Sequence, residues 1–147
     1  MIDVHNFEDF ELLRETVDIE CKLAAGRNGK GALPEDFWPT YSSFANTQGG
    51  LILLGVRERD GKFSPEGIEE WEKVKQDIFS IANNIQKVSV NLLSNKDVQE
   101  FTIDGRTILA VFIHRASRQQ RPVHLTTNPF KNTYRRLHDG DRITPDE

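Results

Sequence analysis

The densest hydrophobic stretch of the chain is Leu51–Leu54, which is followed one residue later by Val56. It is too short for a helix and too apolar for a strand with one wet face. It therefore predicts a central strand that is buried on both faces. Gly55 interrupts the stretch, which indicates a bulge or a close approach of another backbone segment. We expect the other elements to pack around this strand.

A helix is expected to end immediately before the central strand. Asp36 is its predicted N-cap, and its apolar stripe consists of Phe37, Tyr41, Phe44 and Ala45. Asn46, Gly49 and Gly50 form a structural turn between the helix and the strand. Because glycine reaches positive φ without a steric penalty from Cβ, one of the two glycines is expected to have positive φ.

The remaining elements follow from the spacing of apolar residues. Helical spacing predicts helices at about residues 7–14 and 68–84. Alternation predicts strands at 16–23, 98–103, 106–113 and 133–137, with a weaker candidate at 88–92. Asp60-Gly61 and Asp104-Gly105 are typical of hairpin turns, and a further turn is predicted at 139–141.

The alternation within residues 16–23 assigns each side chain of the first strand to a face. The expected buried face carries Val17, Ile19, Cys21 and Leu23, and the expected charged face carries Asp18, Glu20 and Lys22. Cys21 is then a small core residue. As the single cysteine of the chain, it also excludes an internal disulfide.

Length and composition narrow the class of protein. The 147 residues predict one domain, and 37% hydrophobic residues are ordinary for a soluble protein. No signal peptide or membrane-spanning run is present, so a cytoplasmic protein without membrane association is expected. The final residues, 144–147, resemble the start of a further element, so we expect the N-terminal module of a longer protein.

The net charge of −4 hides an asymmetry. Residues 1–104 hold 11 Lys and Arg against 19 Asp and Glu, whereas residues 105–147 hold 8 against 4. This basic region is either a solvated face or an edge that contacts phosphates. The candidate phosphate contacts are Arg115, Arg118, Arg121, Arg135 and Arg136, together with Arg27 and Lys30 in a glycine-rich loop. That loop lacks the spacing of a nucleotide-binding P-loop.

Several motifs occur together in a recognisable order. They are Glu15-x4-Glu20-x-Lys22, the box Ser43-Phe44-Ala45-Asn46-Thr47-x-Gly49-Gly50 running into Leu53-Leu54-Gly55-Val56, the Asp104-Gly105 hairpin into Val111-x-Ile113, Pro122, and Tyr134-x-Arg136. In these features the chain resembles the Schlafen AlbA_2 family. The resemblance implies an α+β domain with a mixed, mostly antiparallel sheet and helices packed on it. It also implies binding of nucleic acid, DNA above all, by a module of bacterial transcriptional regulators.

The Schlafen branch of the family implies an alternative, a metal-dependent endonuclease acting on RNA or DNA. The residues matching its acidic trio are Glu15, Glu20 and Glu58, with Asp60 as a rival for the third position. Three clustered carboxylates can hold Mg²⁺ or Mn²⁺, and Lys22 would stabilise charge on the phosphate. The competing structural interpretation is an ion pair between Glu20 and Lys22 on a wet strand.

Three functions therefore remain open. We expect a module that binds DNA or RNA without cutting it and needs no cofactor. The second function is the endonuclease. The third is a sensor or dimerisation platform, which the net negative charge favours and which makes a homodimer an option.

Overall fold

A computed structural model describes residues 7–129, 132–137 and 140–143. The helices are α1 (Phe7–Leu13), α2 (Phe37–Asn46) and α3 (Trp71–Ala82). The strands are β1 (Ile19–Lys22), β2 (Gly50–Leu54), β3 (Val56–Arg59), β4 (Lys62–Pro65), β5 (Val98–Ile103), β6 (Arg106–Ile113), β7 (Tyr134–Leu137) and β8 (Gly140–Ile143). The α+β class with mostly antiparallel strands is confirmed. No helix in these ranges is long and apolar enough to span a membrane.

The main sheet has the strand order β1-β2-β6-β5. β1 runs parallel to β2, with Ile19 opposite Leu51, and the other two pairings are antiparallel. Every residue of β2 is buried. Ile52 and Leu54 pack in a cluster with residues of α2 and α3, while Leu51 and Leu53 pack with Phe10 of α1. The continuous apolar stretch is thus explained by helices on both faces of the sheet.

Two short hairpins extend beyond the sheet. β3 and β4 form the first, joined by Asp60 and Gly61, both with positive φ. Gly55, with φ of 82°, separates β3 from β2, and a Cβ at Gly55 would lie 3.2 Å from the backbone carbon of Gly67 and 2.8 Å from the side chain of Ile68. This is the close approach that the interrupting glycine predicts. β7 and β8 form the second hairpin, and β7 packs on α2.

Two predictions around α3 are wrong. The helix begins at Trp71 rather than at about residue 68, and Ile85, expected on its apolar stripe, is 72% exposed beyond the helix end at Ala82. The segment 88–92 is not a strand, since its only ladder contact with the described residues is a bridge from Val88 to Leu125. Two of its backbone groups are satisfied instead by Tyr41, whose hydroxyl donates to Val90 O and accepts from Leu92 N. The Tyr41 side chain thus takes the place of a neighbouring strand.

The charged face predicted for β1 is also only partly correct. Lys22 is buried, with Nζ 3.0 Å from a carboxylate oxygen of Asp36. Asp36 precedes α2 as expected but makes no capping hydrogen bond through its side chain. The predicted pair of Lys22 with Glu20 is therefore wrong, because α2 brings a different carboxylate to this lysine. Leu23 is 41% exposed because β1 ends at Lys22.

The C-terminal turn prediction needs a correction as well. Residues 140 and 141 open β8 rather than lie in a turn, because they pair with β7, where Asp141 faces Arg136. Residue 139 and the final stretch 144–147 lie outside the described residues.

Candidate nucleic-acid interface

Four arginines converge on one surface cavity, called here the arginine cavity, of about 530 Å³. It is lined by Asn46, Thr47, Gln48, Arg115, Arg118, Arg121, Pro122 and Arg135. Three of the arginines lie on the segment that follows β6, and Arg135 lies on β7. None of the four forms an ion pair with a carboxylate in the described part of the chain. The cavity therefore carries a concentrated positive charge.

Asn46, the last residue of α2, holds the two arginine-bearing segments together. Its Nδ2 donates to Val123 O (2.8 Å) and Tyr134 O (2.9 Å), and its Oδ1 accepts from Val123 N (2.7 Å). One helical turn earlier, the Ser42 hydroxyl donates to Val123 O and accepts from Tyr134 N. Since Val123 follows Arg121 by two residues and Tyr134 precedes Arg135, this clamp sets the shape of the cavity.

The turn after Asn46 brings the end of β6 against α2. Gly49 has φ of 77°, the positive value predicted from the sequence for one of the two glycines. A Cβ there would lie 2.7 Å from Ile113 O and 3.2 Å from Arg115 N. Next to it, Ala116 N donates to Ala45 O at 2.9 Å. Gly50 is needed for another reason, since a Cβ would lie 2.7 Å from the Phe44 ring.

The cavity is chemically suited to bind anions. Guanidinium groups bind phosphates through paired N–H donors. No aromatic side chain of the described residues lines the cavity, so it lacks an aromatic platform on which a base would stack. Asn46 uses its amide within the protein, and Thr47 donates its hydroxyl to Ser43 O. Gln48 remains the exposed neutral side chain at the rim.

A second cavity, of about 340 Å³, lies at the free edge of β1 and is called here the acidic cavity. It is lined by Arg14, Val17, Asp18, Ile19, Glu20, Glu58 and Arg136. Arg136 bonds Glu20 (2.7 Å) and Asp18 (2.8 Å) from inside it. Arg14 bonds Glu58 at 2.8 Å. Arginines and carboxylates are thus paired here, with three carboxylates against two arginines, unlike in the arginine cavity.

The proposed metal ligands do not assemble as the nuclease alternative requires. Glu20 and Glu58 line the acidic cavity, but Glu15 is exposed beyond the end of α1 and does not line it. Lys22 faces Asp36, and Asp60 lies in the exposed turn between β3 and β4. The structure, over the ranges it describes, holds no group of three ligating side chains placed for a metal ion. Because arginines already bond the available carboxylates, this arrangement does not fit Mg²⁺ or Mn²⁺.

The predicted basic residues lie in three different places. Arg115, Arg118, Arg121 and Arg135 meet in the arginine cavity. Arg27 and Lys30 are exposed on the glycine-rich loop and do not line it. Arg136 points the other way, into the acidic cavity, as alternation along β7 requires.

The fold is shared with known proteins. The sequence model of the Schlafen AlbA_2 family matches residues 15–144. The chain belongs to the Schlafen AlbA_2 family. No curated protein matches the chain significantly.

Two solved structures share this AlbA_2 fold. One is the N-terminal domain of a protein from Nitrosomonas europaea described as related to the ATP-dependent DNA helicase RecG. It is 24% identical, with a TM-score of 0.64, and the match covers 98% of this chain and 96% of that one. The other is the DIP2311 protein of Corynebacterium diphtheriae, 24% identical with a TM-score of 0.55. That match covers 89% of this chain but only 22% of DIP2311.

The sequence does not single out four polar residues that line these cavities, Arg14, Asp18, Thr47 and Gln48, as site residues. Asp18 bonds Arg136 and shares the face of Glu20, so the alternation along β1 could have identified it. Thr47 and Gln48 lie inside the recognised box but have no distinguishing pattern of their own.

Proposed function

We propose that this domain is a nucleic-acid-binding module of a bacterial-type transcriptional regulator, acting in the cytoplasm and holding DNA or RNA by its phosphates. The observation that carries the proposal is the convergence of four arginines without carboxylate partners in the part of the chain described. Like charges brought together raise the energy of the folded protein unless a counter-charge is bound. The family membership supports this, as does the description of the solved neighbour as related to a DNA helicase.

Binding through the arginine cavity would depend strongly on salt concentration and only weakly on the nucleic-acid sequence. Phosphate contacts release condensed counterions, so the logarithm of affinity falls linearly with the logarithm of salt concentration. No helix carries any of the four arginines, so the described part of the cavity presents no base-reading helix to the major groove. The protein as a whole is negative, with a formal charge of −4. Attraction would therefore be local to this cavity.

Replacing Arg118 and Arg121 with alanine tests the proposal. We expect weaker binding to every sequence by a similar factor, and a salt slope reduced by about 0.9 for each lost contact on duplex DNA. Fluorescence anisotropy with labelled duplexes of unrelated sequence, at several salt concentrations, gives both quantities. Arg59→Ala removes an exposed positive charge from β3, away from the cavity, and serves as the control. An unchanged affinity and an unchanged salt slope in the double variant would show that the cavity is not part of the interface.

The competing proposal of a sensor or dimerisation platform predicts the opposite. A protein partner or a homodimer seated on this face would show little of the steep salt dependence produced by phosphates. The same titration, run beside sedimentation measurements of the free protein, separates the two proposals.

A metal-dependent endonuclease is the weaker alternative, since Glu20 and Glu58 reach one cavity but both are bonded by arginines. We expect no cleavage of tRNA or single-stranded DNA in millimolar Mn²⁺. Cutting that is lost in EDTA, in Glu20→Gln and in Glu58→Gln would establish the nuclease instead.

A further inference from the structure

Arg121 differs in burial from the other three residues of the arginine cavity that carry a guanidinium group. The residue is half-buried, and its Nε is covered by protein without an acceptor among the described residues. Arg115, Arg118 and Arg135 are all exposed. A partly buried charge that lacks a partner destabilises the fold unless a counter-charge binds beside it. Arg121 is therefore the member of the cavity with most to gain from a bound anion.

Three separate segments of the chain line the arginine cavity. They are the residues between 115 and 122, which follow β6, the turn at residues 46–48 after α2, and Arg135 on β7. Asn46 joins the first and the third of these segments by hydrogen bonds. Arginines thus reach the same concave space from two segments that are held together.

The two kinds of phosphate in a nucleic-acid strand fit such a concave site differently. An internal phosphodiester is bonded to a sugar on either side, carries one negative charge and leaves two oxygens free. A phosphate at the end of a strand is a monoester. It has a sugar on one side only, three free oxygens and close to two negative charges at pH 7. It can therefore project into the cavity and accept hydrogen bonds from arginines on both segments.

We propose that the arginine cavity holds the phosphomonoester at the end of a nucleic-acid strand, with Arg121 bound to the terminal phosphate. The exposed arginines contact this phosphate and the phosphodiesters next to it. The inference rests on the proposed function, because the same cavity holds the strand, and it specifies which part of the strand is bound. Recognition of an end requires no contact with base edges, which agrees with weak dependence on sequence.

Oligonucleotides of one DNA sequence, labelled at an internal base, provide the test. They carry a 5′-phosphate, a 3′-phosphate or hydroxyls at both ends, and a hydroxyl-ended strand longer by one nucleotide matches the number of phosphates. We expect at least one phosphate-ended strand to bind about tenfold tighter or more than both hydroxyl-ended strands, as an added hydrogen bond to a charged group implies. The tighter strand identifies the end that is bound. Any smaller preference in the wild type would overturn the inference.

Arg121→Ala tests the residue assigned to the terminal phosphate. We expect this variant, shown to be folded by circular dichroism, to bind the phosphate-ended and hydroxyl-ended strands equally. Arg59→Ala, which removes an exposed charge on β3, is the control and should keep the wild-type preference. A preference that survives in folded Arg121→Ala would contradict the assignment of this arginine to the strand end.

A free nucleoside monophosphate, added as a competitor, distinguishes a strand end from a single nucleotide. We expect it to compete at least about tenfold more weakly than the unlabelled strand, because it lacks the neighbouring phosphates that release further counterions. Equal competition would show that the cavity takes a free nucleotide and would overturn the strand as its ligand.

The inference and the proposed function fail in different ways. Equal binding of all strands, weakened in all of them by the double replacement of Arg118 and Arg121, would end the inference and leave the proposed function standing. Binding of no strand at all would end both.

Discussion

Replacing Gly49 with alanine is expected to lower the free energy of unfolding by about 2–5 kcal/mol. Two costs add at this position. The backbone φ of 77° lies in the left-handed region, where a Cβ costs about 1–2 kcal/mol. The new methyl group would also lie 2.7 Å from Ile113 O, and relieving such a contact costs roughly 1–3 kcal/mol. Urea unfolding of the wild type and the variant measures the difference.

Gly29→Ala is a matched control for Gly49→Ala. Gly29 has nearly the same φ, 76°, but a Cβ there would meet nothing within 4 Å. The control should therefore lose only the backbone part, about 1–2 kcal/mol. If the two variants lost equal stability, the turn would not be closely packed against the end of β6, and Gly49 would serve only the left-handed conformation.

The sequence predicts this turn and the central strand correctly because both depend on local signals. An unbroken apolar stretch needs cover on two faces wherever it lies, and Asp-Gly pairs favour hairpin turns whatever surrounds them. The predictions that fail depend on distant partners. The sequence predicts a wet face for Lys22 because nothing near this residue in the sequence reveals that Asp36 lies beside it in the fold. The segment 88–92 has the sequence pattern of a strand, but in the fold the Tyr41 hydroxyl bonds to its backbone.

The same distinction between local signals and distant partners applies to the candidate site. The spacing of Arg115, Arg118 and Arg121 already indicates a basic edge in the sequence. Alternation along β7 says that Arg135 and Arg136 point in opposite directions, but not which of them faces carboxylates. That depends on how β7 docks near β1, since Arg136 and Asp18 are 118 residues apart.

The two cavities therefore differ more clearly in their ion pairs than in their residue composition. Both contain arginines, and the sequence assigns Arg136 to the basic edge with the others. In the folded domain Arg136 is paired with three carboxylates, whereas the four arginines of the other cavity have no carboxylate partner among the described residues. A net charge of −4 is therefore compatible with a local anion-binding surface, because the negative residues lie outside the arginine cavity.

Asn46→Ala is expected to reduce both stability and nucleic-acid affinity, because Asn46 joins the two segments that carry the arginines. Alanine leaves Val123 N and Tyr134 O without the partners they have in the wild type. A buried polar group left unsatisfied costs about 1–3 kcal/mol, so we expect a loss of about 2–4 kcal/mol after partial relaxation. Thermal and urea unfolding measure this loss.

Binding of labelled DNA, measured well below the melting temperature of the variant, then separates positioning from mere folding. We expect Asn46→Ala to bind more weakly even when fully folded, since Arg121 and Arg135 are no longer held at a fixed separation. Asn84→Ala is the control, because this exposed asparagine accepts one local hydrogen bond, from Gln86 N. It should change stability by less than about 1 kcal/mol and leave binding unchanged. A folded Asn46→Ala with wild-type affinity would show that the clamp serves the fold alone and that the shape of the arginine cavity does not govern binding.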